Sequence, residues 1–328
     1  MLKDLLDDKK CFKLVCGAGN EDANEVEKLV AIYSKAGCNF FDVCAKPEIV
    51  EAAKKGLKTA GITDDRYICV SVGIDGDPHI TKANINNSLC SKCGLCKELC
   101  SHDAITTQNN NIEINTERCL GCGVCKSNCP YGAIYMKSQL IDYGKVLPEI
   151  INQGIDCIEF HAISTNDSDV FEKWETINSI FSGMLCISLD RSELGDKKLK
   201  SRVEQMIAKR KPYSTIIQAD GVAMSGNDDE YGTTLQAIAT AQLFQNAKLP
   251  AYIMMSGGTN TKSTELAKMC GVYPNCIAIG SYARKIVKDF LNTPNLLNDE
   301  VAFAQAVDIA KQLVDVSLKN LGNKSIEK

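Results

Sequence analysis

Two cysteine runs are the residues in this chain best placed to do chemistry. Cys90, Cys93, Cys96 and Cys100 form the first, and Cys119, Cys122, Cys125 and Cys129 form the second. Both follow the spacing C-x2-C-x2-C-x3-C. Three thiolates at that spacing wrap one face of an iron–sulfur cubane, and the fourth cysteine of each run ligates the other cluster. The expected ligand sets are therefore Cys90, Cys93, Cys96 and Cys129 for one [4Fe–4S] cluster, and Cys119, Cys122, Cys125 and Cys100 for a second. A zinc ribbon is the competing reading of a C-x2-C pair, but tetrahedral zinc needs four ligands, not two runs of four. The segments after the runs, His102 to Ile105 and Tyr131 to Ile134, also repeat one another. This is the internal symmetry expected of a bacterial-type ferredoxin module. One departure is Ser101, which stands where proline follows the fourth cysteine in the second run (Pro130).

The remaining chemistry-bearing residues sit at the ends of short apolar runs. Glu159 and His161 close one such run, and His79 lies just past another. These three are candidates for moving protons, since histidine titrates near neutrality and a carboxylate beside it can act as base. A hydrogen-bonded structural histidine is the plainer alternative. Asp42, Asp190 and Asp220 are further strand-end carboxylates, each as readily a helix cap as a reactive group. Three polar, glycine-bearing loops complete the set. They contribute Asp220, Ser225 and Gly226, then Ser256, Gly257, Gly258 and Asn260, then Gly280, Ser281 and Arg284. Glycine lets backbone N–H groups approach a phosphate, and Arg284 would add a charged fork. Tight strand-to-helix turns would call for the same glycines. A phosphate-bearing ligand is expected here, with flavin mononucleotide (FMN) a natural candidate beside iron–sulfur clusters.

These positions make sense on one scaffold. Eight apolar runs, Phe12 to Cys16, Asn39 to Cys44, Tyr67 to Val72, Cys157 to His161, Leu185 to Leu189, Thr215 to Gln218, Ala251 to Met255 and Cys276 to Ile279, alternate with amphipathic helical segments. One such segment puts Val26, Leu29, Val30 and Tyr33 on a single face and stops at Gly37. Buried strands alternating with helices predict a parallel sheet. Eight units predict a (β/α)8 TIM-like barrel rather than an open doubly wound sheet, with an inserted α+β ferredoxin-like domain after the third strand. The expected division is residues 1–85 for the first part of the barrel, 86–137 for the insert, and 138–328 for the rest. Chemistry in such barrels lies on the loops that follow the strands.

Composition narrows the class. The 328 residues are 45% hydrophobic and 24% charged with a net charge of −4, so there is no basic footprint for nucleic acid. No stretch is apolar enough to span a bilayer and no signal peptide is evident, so a cytoplasmic protein without a membrane partner is expected. Seventeen cysteines, an odd number, argue for metal ligation in a reducing compartment rather than a disulfide framework. Nine lie outside the two runs, and several of these, Cys16, Cys44, Cys69, Cys157 and Cys186, sit inside apolar runs and read as small buried hydrophobes.

From about Lys13 to Val287 the chain resembles the light-dependent period family of iron–sulfur proteins. The resemblance rests on Asp77-Pro78-His79, the paired cysteine runs, Asp220 to Gly226, Ser256 to Asn260 and Gly280 to Arg284. It implies a redox-active protein with two [4Fe–4S] clusters and a retained ligand at the barrel mouth. The favoured reading is an oxidoreductase that passes electrons through the clusters to a phosphate-bearing cofactor or substrate, with a protein electron donor or acceptor as partner. A redox sensor that binds a regulatory partner without turnover is the second reading. A bare electron carrier is the third, and it leaves the barrel unexplained.

Overall fold

The computed structural model describes residues 1–75, 77, 80–139, 142–192, 194–221 and 228–321. Strands β1 (Cys11–Val15), β2 (Phe40–Cys44) and β3 (Tyr67–Gly73) precede an insertion, whose own strands are β4 (Thr81–Ile85), β5 (Ile105–Gln108), β6 (Asn111–Ile114) and β7 (Ile134–Ser138). The series resumes with β8 (Cys157–His161), β9 (Met184–Leu189), β10 (Thr215–Asp220), β11 (Tyr252–Ser256) and β12 (Cys276–Ile279). β1, β2, β3 and β8 to β12 form one closed parallel barrel. Closure is made where β12 pairs with β1, Cys276 beside Cys11, which rules out the open sheet.

The barrel follows from period-2 alternation along each strand. One set of side chains, such as Phe12, Leu14, Phe41, Val43, Val70, Val72, Ile158 and Phe160, packs outward into the core shared with the helices. The other set points inward and changes character with height. Cys11, Cys69, Cys157, Cys186 and Cys276 cluster at the floor with Leu2 and Leu6 from the helix Leu2–Asp7, which plugs that end. Two residues further along, the inward positions become Lys13, Ser71, Glu159, Ser188 and Ala278, and two further still Val15, Gly73, His161 and Gly280. The strand cysteines are thus small apolar packing units, as expected.

The helix Ala23–Lys35 starts where the Asp22 carboxylate accepts from the Glu25 backbone N–H, and buries Val26, Leu29, Val30 and Tyr33. It lies against Pro47–Ala60 at close range. A Cβ on Gly56 would stand 2.5 Å from the Glu27 carbonyl oxygen and 2.9 Å from the Val30 Cβ.

The insertion leaves the barrel at the mouth end of β3. β4 pairs antiparallel with β7, Ile85 opposite Ile134, and β5 pairs with β6. Its paired strands therefore begin at Thr81, upstream of residue 86, because the alternation of Thr81–Ile85 is completed only by the distant Ile134–Ser138. Two short helices, Leu95–Glu98 and Val124–Ser127, follow Gly94 and Gly123 and repeat one another. The buried Lys82 ammonium ties the insertion to the barrel: it donates to the carbonyls of Gly19 and Cys119 (2.9 Å for the latter) and pairs with Glu21 at 3.2 Å. Arg118 to Glu25 (2.7 Å) and Lys288 to Asp103 (3.0 Å) add two more links.

Gly56→Ala is expected to destabilise the fold by about 1–3 kcal/mol, because the clashing atoms are largely backbone. Urea unfolding of the two proteins checks this, and an unchanged midpoint would contradict the close helix contact.

Candidate functional site at the barrel mouth

A charged layer crosses the barrel above the cysteine floor. Lys13, fully buried, forms an ion pair with Glu159, approaches Asp42 at 3.9 Å and donates to the Gln218 side-chain oxygen at 3.2 Å. Glu159 also accepts from the Gln218 amide at 2.9 Å and lies 3.1 Å from His161 Nε2. The other ring nitrogen of His161, Nδ1, is 2.8 Å from Asp77. Ser71 donates to Asp42 at 2.6 Å, and Gln218 and Ser188 both donate to Asp220. Buried charges persist only when paired and hydrogen-bonded, and here each has such partners.

The pairing sets protonation. Burial would discharge Lys13, but Asp42 and Glu159 outweigh it and hold the ammonium firmly protonated. Burial pushes the Glu159 carboxyl up, yet Lys13 and His161 together drive it well below the usual range. For His161, burial is overcome by Asp77 and Glu159, so the imidazolium is strongly favoured. Asp42 goes the other way: burial dominates over Lys13, and its pKa rises from 3.8 to about 6. Asp42 is therefore a group in this layer that changes charge close to neutrality. It caps no helix, since the next one begins after Lys46.

Above this layer is a cavity of about 90 Å³. Of the residues singled out in the sequence, Glu159, His161, Asp190, Asp220, Ser256, Gly257, Gly258, Gly280, Ser281 and Arg284 line it, as does Asp42. Asn260 stands outside. Its amide nitrogen donates to the carbonyls of Asp228 (3.0 Å) and Glu230 (2.7 Å) and to Thr233 Oγ1 (2.8 Å), so it braces the segment after β10. His79, Ser225 and Gly226 lie outside the described residues. Gly257 has a packing reason of its own: with φ +69°, it crosses Gly221 so closely that a Cβ would fall 2.6 Å from the Gly221 nitrogen. Arg284 is 7% exposed; one Nη donates to the Val15 carbonyl at 2.6 Å, and its Nε–H has no acceptor among the described residues.

The wall opposite the strands comes from the insertion, through His102 and Leu120. Leu120 rests on Gly17. Both side chains also line a second, smaller cavity formed by Cys100, Cys119, Cys122 and Cys125. Cys90, Cys93, Cys96 and Cys129 converge on a separate one. The fold thus assembles the cysteines in the two crossed sets that the spacing implies. All-thiol sets of four suit iron–sulfur cubanes. The amide of Ala83 donates to Cys119 Sγ at 3.3 Å and that of Lys92 to Cys90 Sγ at 3.4 Å, as thiolate ligands require.

Several of these participants were not picked out from the sequence as site residues. Lys13 carried a signal, a lysine in the middle of an otherwise apolar strand. Gln218, Ser71 and Ser188 share its inward parity. Asp77 was noticed only beside His79, and His102 and Leu120 had no signal pointing toward the barrel.

A closed (β/α)8 barrel joined at its mouth to a cysteine-rich insertion defines an iron–sulfur barrel protein. Residues 83–136 match the 4Fe-4S dicluster domain family, and residues 149–316 match the family described as Light dependent period A C-terminal domain. The chain belongs to that Light dependent period A family. It is similar to Light dependent period A of Synechococcus elongatus, with 28% identity over 293 residues, covering 85% of this chain and 82% of the relative. Among solved structures, the tryptophan synthase alpha chain of Legionella pneumophila superimposes with a TM-score of 0.50 at 8% identity, covering 99% of this chain and 98% of that one. A tryptophan synthase chain from M. tuberculosis gives 0.48 at 7% identity, covering 98% and 97%. The Legionella match is a likeness of fold. Among the described residues no helix is long and apolar enough to cross a membrane.

Lys13→Met is expected to cost about 3–5 kcal/mol, because Glu159 and Asp42 both lose a buried cationic partner. Adding Glu159→Gln should recover part of that loss, and strict additivity in a double-mutant cycle would refute the ion pair. A carboxyl whose pKa is raised on folding stabilises fully below its unfolded pKa and loses that contribution as pH rises through the folded one. Relative to Asp42→Asn, the wild type should therefore lose stability from about pH 4 to about pH 6 and level off above. Urea midpoints across that range test it; a pH-independent difference would show an unshifted Asp42.

Proposed function

We propose that the protein is an iron–sulfur oxidoreductase that passes electrons through two [4Fe–4S] clusters to a phosphate-bearing ligand at the barrel mouth. The observation that carries this reading is the shared wall. His102 and Leu120 border both the cavity of Cys100, Cys119, Cys122 and Cys125 and the cavity above Glu159 and His161. When bound, the clusters would supply single electrons, one of them beside that wall.

The chain's own residues would do the rest. Arg284 presents an unmatched Nε–H to an anion, and buried donors of this kind are costly unless an acceptor meets them. His161 and Glu159 are locked into ion pairs, so they orient and polarise. Asp42, with a pKa of about 6, is the better proton donor. A space of about 90 Å³ is well below the 300–1,000 Å³ or so of ordinary cofactor pockets. It favours a small reducible group over the three-ring head of FMN.

The sensor reading draws on a different feature. Leu89, Tyr131 and Tyr135 are about half exposed near the Cys90 set, and Leu95 is 36% exposed. An apolar rim of that kind suits docking of an electron-transfer or regulatory protein.

Anaerobically purified protein should retain a phosphate-bearing compound detectable by mass spectrometry after extraction. Arg284→Met should lower its occupancy at least tenfold while leaving iron and sulfide content unchanged. Full cluster content with no retained compound, and no reoxidation of dithionite-reduced protein by phosphorylated carbonyl compounds, would favour the sensor reading.

A further inference from the structure

Beside the barrel cavity, between the insertion and the helices Ser281–Ile286 and Lys288–Leu291, is a second cleft of about 330 Å³. Arg118, Arg284, Lys285 and Lys288 line it together with Glu25 and Asp103, so cationic side chains in its wall outnumber anionic ones by two. The chain as a whole carries −4, so this local surplus runs against the global charge. His102, Ser281 and Arg284 belong to both the cleft and the barrel cavity, which makes the two spaces neighbours across a single layer of side chains.

Two guanidinium donors here are buried without a hydrogen-bond acceptor among the described residues, Arg118 Nε and Arg284 Nε. Asp22 lies 3.6 Å from Arg118 Nε, too far for a hydrogen bond. Arg118 uses another nitrogen for Glu25, and Arg284 uses Nη1 for the Val15 carbonyl. A planar guanidinium with an unpaired N–H suits the oxygens of a carboxylate or a phosphate, and the surplus of cations favours the more highly charged phosphate. Size points the same way. The barrel cavity alone is too small for a metabolite, whereas the adjoining cleft is by itself within the range of small-molecule sites.

We infer that this cleft is the anion subsite of an elongated ligand: a phosphate or pyrophosphate ester whose anionic end is held by Arg118, Arg284, Lys285 and Lys288. Its uncharged end reaches past Arg284 and Ser281 into the barrel. The inference rests on the reading that the barrel mouth takes a phosphate-bearing ligand, and it names where the phosphate goes. Neither Arg118, Lys285 nor Lys288 belongs to the glycine loops that first suggested such a ligand. The joint between insertion and barrel would then be part of the binding site, so a bound phosphate would hold the two together.

The test is calorimetric titration of inorganic pyrophosphate into the full, cluster-loaded chain, repeated with adenosine diphosphate. Wild type should bind pyrophosphate, more weakly as salt rises. Lys285→Gln and Lys288→Gln should each weaken binding about tenfold with iron content intact. Lys288 also pairs with Asp103, so its variant is read beside Lys285→Gln and not alone. Tighter binding of adenosine diphosphate would identify a nucleotide as the source of the phosphate, and equal binding a simple phosphate ester; either supports the subsite. Absence of pyrophosphate binding, or unchanged affinity in both variants, would overturn it. Pyrophosphate binding that depends on Lys285, in a protein that never reoxidises its clusters onto a ligand, would leave the subsite standing and remove the oxidoreductase reading instead.

Discussion

The pairing of Lys13 with Glu159 across the barrel interior is the constraint on which the rest of the site depends. An isolated ammonium or carboxylate at the centre of a closed sheet would carry a desolvation cost of several kcal/mol. Once the two face one another, the sites around them follow. Glu159 stays ionised and holds His161 as an imidazolium; Asp77 fixes the other side of that ring. Asp42, left with a weaker share of Lys13, becomes a group that titrates near neutrality. The floor of cysteines and the plug of Leu2 and Leu6 keep water from the layer below, while the cavity opens above it.

The insertion changes what that cavity is. A bare barrel mouth opens to solvent, but here His102 and Leu120 form one side of it, and the same residues wall the cavity of four cysteines. Lys82 secures this arrangement with an ammonium that is 1% exposed and satisfied by two carbonyls and Glu21. A hinge-like linker would serve two independent modules; a buried, saturated cation at the joint indicates one working unit.

The glycine loops illustrate how one sequence feature can answer two needs. Gly257 and Gly221 cross backbone to backbone, so packing alone demands them. The same crossing lies directly after Asp220 and Ser256, the last residues of β10 and β11, which border the cavity. Asn260, grouped with those glycines by sequence, is instead a strut whose amide is saturated by Asp228, Glu230 and Thr233.

What the sequence determined by itself is what local spacing can encode. Cysteines three and four positions apart announce cluster ligation, and strands of period 2 between helices of period 3.6 announce the barrel and the place where the insertion interrupts it. Even the inward parity was present, in Cys11 with Lys13, Cys157 with Glu159 and Cys186 with Ser188. Only the tertiary structure decided which of these residues meet. Lys13 and Glu159 are 146 positions apart, and Asp77 and His161 84 apart. Their contact depends on the order in which eight strands close, which no window of sequence contains. The same holds for Arg118 beside Arg284: the insertion could have projected into solvent, and it is the buried Lys82 and the ion pairs at the joint that bring the cysteine-rich insertion and a barrel loop to one cleft.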